Sequence, residues 1–181
     1  IGFGEAVASL ISGKEVLVSD DGSNSSIDTP FKEQSVLYNA HLKNIPALIH
    51  ATIGTDIIDQ HQNFEAGSKG LVSGYDFDIL VDQITKFNDG GFFLNIGTAV
   101  TGPEVILKAI SMASNAGYEL NDIRTAVFDI RSVPEKFPGE EKESYYFRDF
   151  KSIVTRIPNS FDGQGHYIQG NHMDTIPSLF Y

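Results

Sequence analysis

One stretch constrains this fold more than any other: Gly91 to Gly117, GFFLNIGTAVTGPEVILKAISMASNAG, where the hydrophobic period changes. Phe92-Phe93-Leu94-Asn95-Ile96 is a short apolar run of the kind that makes a buried strand. A small-residue turn follows, holding Gly97, Thr98, Thr101 and Gly102. A helix then opens, with Thr101 and Glu104 at capping-box spacing and Pro103 in the first turn. Val105, Ile106, Ala109, Ile110 and Ala113 form one helical face, and Gly117 is a natural stop. A strand, a tight turn and a helix N-terminus aim backbone N–H groups and a positive dipole end at a docking anion. The plain alternative is an ordinary β-α unit.

The flanking chain repeats this alternation. Helical spacing is expected over Phe3–Ile11, Phe31–Lys43 and Tyr75–Phe87, and in the aromatic stretch Tyr145–Val154. Strands are expected at Lys14–Ser19, Ala47–Ala51, Arg124–Ile130 and His166–Gly170, and an apolar helix start at Thr175–Tyr181. Asp20–Pro30, Asn63–Gly74 and Ser132–Glu143 carry turn residues and charge and read as loops. Alternating helix and strand predicts an α/β domain with a mainly parallel sheet covered by helices on both faces. Such sheets bind ligands beyond the carboxyl ends of their strands. Those ends carry the polar segments Thr52–Asp56, Gly97–Gly102, Asp129–Arg131 and Gly170–Asp174.

Composition narrows the function. A chain of 181 residues, 41% hydrophobic, is expected to form one domain over 1–181 with a real core. A net charge of −11 argues against nucleic acid, whose phosphates need clustered Lys and Arg. No apolar stretch reaches membrane-spanning length. The absence of Cys excludes disulfides and thiolate chemistry and fits a cytoplasmic protein. The chain starts at Ile1 directly in a helical pattern, as a processed chain or a fragment truncated at its N-terminus would.

From Ser35 onward the order of segments resembles deoxyhypusine synthase. SVLYNAHLKNIPALIHATIGTDIIDQH is similar to that family's helix, Ile-Pro turn, buried strand and Gly/Asp loop. Gly91–Val105 is similar to its strand and glycine turn over the cofactor. RTAVFDI and YIQGNHMDTIPSLF are similar to its last two strands and closing helix. The resemblance implies a three-layer, Rossmann-like fold, a bound NAD or related nucleotide, and a homo-oligomer. It also shows departures. Thr101-Gly102-Pro103-Glu104 stands where the family carries substrate-contacting histidines, and VPEKFPGEEKES replaces its acidic Gly/Ser loop. SIVTRIPN stands nearest its catalytic lysine segment, with Arg156 closest to the lysine's place. A guanidinium stays protonated and forms no imine, so deoxyhypusine synthesis itself is not expected. Lys151 is close in sequence but lacks the matching context.

The candidate cofactor residues are Gly54, Thr55, Asp56, Gly97, Thr98, Thr101, Asp129, Asn171 and Asp174. Asp56 suits ribose hydroxyls or a helix N-cap. Thr98 and Thr101 suit a phosphate or the cap of the following helix, with Thr101 the expected cap. Asp129 suits a ligand or an ion pair with Arg131 or Arg124. Arg156 and His172 are the catalytic candidates. His50, Asp56 and His61, with His172, offer imidazole and carboxylate to zinc or iron in a metal-dependent hydrolase, though their spacing matches no compact metal signature. A non-catalytic oligomeric homologue is the alternative from another class.

Overall fold

The computed structural model describes residues 1–14, 17–18, 21–133 and 147–180. The expected strand Lys14–Ser19, the loop at Ser132–Glu143 and the start of the aromatic stretch lie partly outside them. The chain packs as two compact units, Ile1–Leu80 and Val81–Tyr181, where composition suggests one domain.

In the first unit, α1 (Phe3–Ser12) packs on α2 (Val36–Leu42). Ser35 caps α2 by accepting from the Tyr38 N–H, and a short 3-10 turn, Lys32–Gln34, precedes it. The expected helix Phe31–Lys43 is thus two pieces, divided at Ser35. Leu17–Val18 (β1) and Asn24–Ser25 (β2) pair antiparallel, the latter inside the expected loop Asp20–Pro30.

The long helix α3 spans Ala66–Ile84. It starts inside the expected loop Asn63–Gly74, because Glu65 accepts from the Gly67 and Ser68 N–H groups and supplies the helix start. The expected strand Ala47–Ala51 makes no ladder among the described residues. Its backbone is held by the helix instead. The Ile49 N–H donates to Asp76 (2.8 Å) and the Ala51 N–H to the Ser73 hydroxyl (2.9 Å). Ser73 and Asp76 are three residues apart on α3 and so share a face. The same Asp76 oxygen accepts from the Gly4 N–H (3.0 Å), tying α1 to the 47–51 segment. The fit is tight: a Cβ on Gly4 would lie 1.7 Å from the Ala47 carbonyl oxygen.

The second unit holds a parallel sheet of three strands among the described residues, in the order β3 (Gly91–Ile96), β4 (Ile123–Asp129), β5 (Gly165–Gln169). Ile96 pairs with Phe128 and Asp129 with Gln169, so the three carboxyl ends finish together. Between β3 and β4 runs α4 (Thr101–Asn115), burying Pro103, Ile106, Ala109, Ile110 and Ala113. This is the predicted face except that Pro103 replaces Val105. Gly117 ends the turn with φ +91°, a left-handed value that glycine takes without strain.

Between β4 and β5 a π-helix, Phe150–Arg156, runs into α5 (Ile157–Ser160). It sits against β4, where the Thr125 hydroxyl donates to the Ile153 carbonyl. The core gathers here: Ile106, Ala109, Ile123, Val127, Ile153 and Ile157 are buried. After β5 come α6 (His172–Thr175) and a 3-10 turn, Pro177–Phe180, in place of one apolar helix. The α/β class and the parallel sheet follow the expectation. No helix among the described residues is long and apolar enough to cross a membrane.

Asp76→Ala leaves two backbone donors without their acceptor and is expected to destabilise the chain by about 3 kcal/mol. Asp76→Asn keeps an acceptor oxygen and is expected to lose less than half of that. Urea denaturation of both variants checks it; equal losses would show that the acceptor is not what matters.

Candidate functional site

Parallel pairing puts three strand ends side by side, and each leads into one of the expected polar segments. After β3 the chain turns at Gly97, which is exposed and has φ +70°. Asn95 sits beneath this turn, only 2% exposed, and its amide donates to the Thr98 carbonyl (2.8 Å). The Thr98 hydroxyl then accepts from the Gly102 N–H (2.9 Å). Thr98, two residues ahead of the N-cap Val100, thus takes a first-turn N–H of α4, which corrects the expectation for Thr101: that residue is the first of the helix and exposed. Glu104 does not close a capping box either. It pairs with Lys108 one turn on and with Arg148 at 3.1 Å, and Lys108 above all holds its carboxyl below the usual range.

At the end of β4, Asp129 accepts from the Arg131 backbone N–H (2.9 Å) and from its Nε (2.8 Å). The ion-pair alternative for Asp129 is therefore the arrangement present. Arg131 also reaches Asp149, a fully buried residue just ahead of the π-helix. The Tyr167 hydroxyl on β5 donates to the Arg131 carbonyl (3.0 Å), so the cluster ties β4, the π-helix and β5 together. The two carboxylates shift in opposite directions. Burial opposes ionisation of Asp129, but the hydrogen bonds from Arg131 outweigh it and lower the pKa. Burial of Asp149 dominates the Arg131 charge and raises it, and its Oδ1 has no hydrogen-bond partner. Burial, then the Asp129 charge, push Tyr167 up to about 12.

Beyond β5, Asn171 caps α6 by accepting from the Met173 N–H (2.9 Å), and Asp174 is exposed. His172 Nε2 lies 3.1 Å from the Phe128 carbonyl oxygen. A carbonyl only accepts, so Nε2 is the donor, and in the Nε2–H tautomer Nδ1 is an acceptor. The imidazole lies 3.6 Å from where a Cβ on Gly97 would stand, which joins the first and third strand ends.

Gly97, Thr98, Thr101, Asp129, Asn171, His172 and Asp174 thus share one sheet edge. Gly54, Thr55 and Asp56 belong to the other unit. There Asp56 caps a 3-10 turn, Ile57–Gln60, by accepting from the Ile58 N–H (3.3 Å), and lies 3.8 Å from Lys69. Lys69 is buried and paired with Asp59. His61 Nδ1 accepts from the Asn63 N–H, and the His50 ring packs edge-on to Phe77. Burial lowers the His50 pKa against the pull of Asp76. Among the described residues no three His, Asp or Glu side chains gather into a metal-binding group, so the set His50, Asp56, His61 does not form one.

Arg156 is placed by α4. That helix starts at the carboxyl edge and runs back along the sheet, and Arg156 lines a groove with its second half, Leu107 to Asn115. It stands at the far end from the strand-end site, which removes it as a catalytic candidate there.

Sequence reasoning missed Asn95, Asp149 and Tyr167. A lone amide in an apolar strand and a lone carboxylate among the aromatics Phe147 and Phe150 were the available signals. No family model, curated protein or solved structure matches this chain.

The opposed shifts give a pH test. A carboxyl raised in the folded state binds its proton more tightly there than when unfolded, so its contribution is full below the unfolded Asp pKa and falls as pH rises through the folded value. The Asp129 contribution runs the other way, present above the unfolded pKa and lost as pH falls through the lowered one. Asp149→Asn is expected to remove the decline with rising pH. Urea denaturation between pH 4 and 8 checks this: the stability of the variant relative to wild type should rise with pH, and a constant difference would contradict it.

Proposed function

We propose that the second unit binds a nucleotide at the carboxyl edge of β3–β4–β5, with NAD the first ligand to test. One observation carries the reading. The register ends three parallel strands together, at a left-handed glycine turn that feeds the N-terminus of a 15-residue helix. The dipole of α4 and its first-turn N–H groups favour an anionic group above Gly97. His172 Nδ1 and the exposed Asp174 are acceptors for ribose hydroxyls on the β5 side. Asp129 is held by Arg131, so its part is to fix the edge rather than to reach the ligand. The resemblance to deoxyhypusine synthase supports the same ligand class and, with the absence of its substrate histidines and lysine context, an altered or absent transferase activity. Its cysteine-free composition fits action in the cytoplasm.

Calorimetric titration with NAD tests the site. Saturable heat is expected at up to millimolar ligand. Gly97→Val, which forces a β-branched residue into φ +70° and points its methyls at His172, is expected to abolish that heat. His172→Ala, which leaves the turn intact, is expected to weaken binding about tenfold, the scale of one lost hydrogen bond. Absence of heat with the wild-type chain defeats the proposal.

A second reading, action through assembly, is favoured by β3. Among the described residues it is an edge strand; it has no charged residue or proline, and Phe92, Leu94 and Ile96 on one face are exposed, Phe92 by 73%. Natural edges of this kind are normally protected or paired. Light scattering is expected to find a homo-oligomer, and Leu94→Lys to shift it to the monomer mass. A wild-type monomer at tens of micromolar rejects the reading.

A further inference from the structure

We infer that the groove between α4 and α5 is a binding site for a small organic carboxylate with an apolar body, with Arg156 as its anchor. The groove encloses about 290 Å³, close to the lower limit for small-molecule sites. Its floor is apolar, with Ile110 and Ile157 buried and Phe161 beside them. Its polar lining includes Arg156, Ser114 and Ser160.

Arg156 is exceptional in its pairing. The chain carries 24 acidic and 13 basic side chains, so carboxylates are abundant. Arg124 is paired with Asp122, Arg131 with Asp129 and Asp149, and Arg148 with Glu104. Among the described residues the Arg156 guanidinium makes no ion pair and no hydrogen bond, and its five donors are unused. The Ser114 and Ser160 hydroxyls likewise have no hydrogen bond to the described protein. A planar fork of donors matches a carboxylate in bidentate fashion, with the hydroxyls as further donors.

Two facts select a monoanion over a phosphate dianion. The last turn of α4 presents its carbonyl end here, which disfavours negative charge, and the net charge of −11 adds to that repulsion. One negative charge on an apolar body keeps the guanidinium contact and gains burial against Ile110, Ile157 and Phe161. This site lies at the opposite end of α4 from the proposed nucleotide site and does not depend on it.

Titration of the full chain with three probes tests the inference: hexanoate, hexanol with the same body and no charge, and acetate with the charge and no body. Hexanoate is expected to bind saturably in the millimolar range or tighter, and each of the others at least tenfold more weakly. Arg156→Gln, on an exposed side chain, is expected to reduce hexanoate affinity at least tenfold and bring it level with hexanol, while Arg156→Lys restores part of it. Hexanoate binding no tighter than hexanol, unchanged affinity in Arg156→Gln, or no hexanoate binding at millimolar concentration would each overturn the assignment.

Discussion

The second unit depends on the double parallel pairing of β4. Held by β3 on one side and β5 on the other, β4 buries Ile123, Thr125, Ala126, Val127 and Phe128, a nearly continuous buried run. Parallel pairing requires a crossover between successive strands. Here α4 supplies the first, and the π-helix with α5 lies in the second. Because the crossovers carry the chain back to the sheet's other end, every strand delivers its carboxyl end to the same edge. Gly97, Asp129 and Gly170 are neighbours for that reason and no other.

That edge is stiffened from beneath by buried polar groups. Asn95 fixes the turn after β3, and the Asp129–Arg131–Asp149 cluster with Tyr167 fixes the ends of β4 and β5. A buried carboxylate with one unpartnered oxygen is costly, and Arg131 lowers that cost without removing it. In the first unit Asp76 does comparable work with backbone donors in place of a cation. One of its oxygens holds Gly4 and Ile49, and the other is buried without a partner. Both units thus use a buried aspartate to join segments far apart in sequence.

Much of the second unit was legible because its signals are local. The change of period at Gly97, the apolar face of α4, the stop at Gly117 and the β4 run all lie within a few residues of what they determine. The failures have a common cause, which is side chains that hydrogen-bond to backbone, some within a turn and some across the chain. Glu65, Gly67, Ser68 and Gly70 suggest a loop, yet Glu65 accepts from the Gly67 and Ser68 N–H groups at the start of α3, and Lys69 pairs with Asp59. Ala47–Ala51 has a strand's composition, but Ser73 and Asp76 take its N–H groups in place of a neighbouring strand. Thr98, anchored by Asn95, takes a first-turn N–H of α4 in the role expected of Thr101. The candidate site was legible as a set of strand ends. The pairing of Asp129 with Arg131 was open in the sequence, and the contribution of Asp149 was hidden by its distance along the chain. Asp56 offered both a cap and a ligand role, and the cap is the one its geometry fulfils.

We propose a nucleotide on the carboxyl edge of the three-stranded sheet. Backbone amide chemical shifts, followed by NMR as NAD is added, test it most directly because they report position as well as affinity. Saturable shifts are expected, concentrated at Gly97–Gly102, Ile130–Arg131 and Gly170–Asp174. Shifts confined to the α4–α5 groove, or spread without focus over both units, would contradict it.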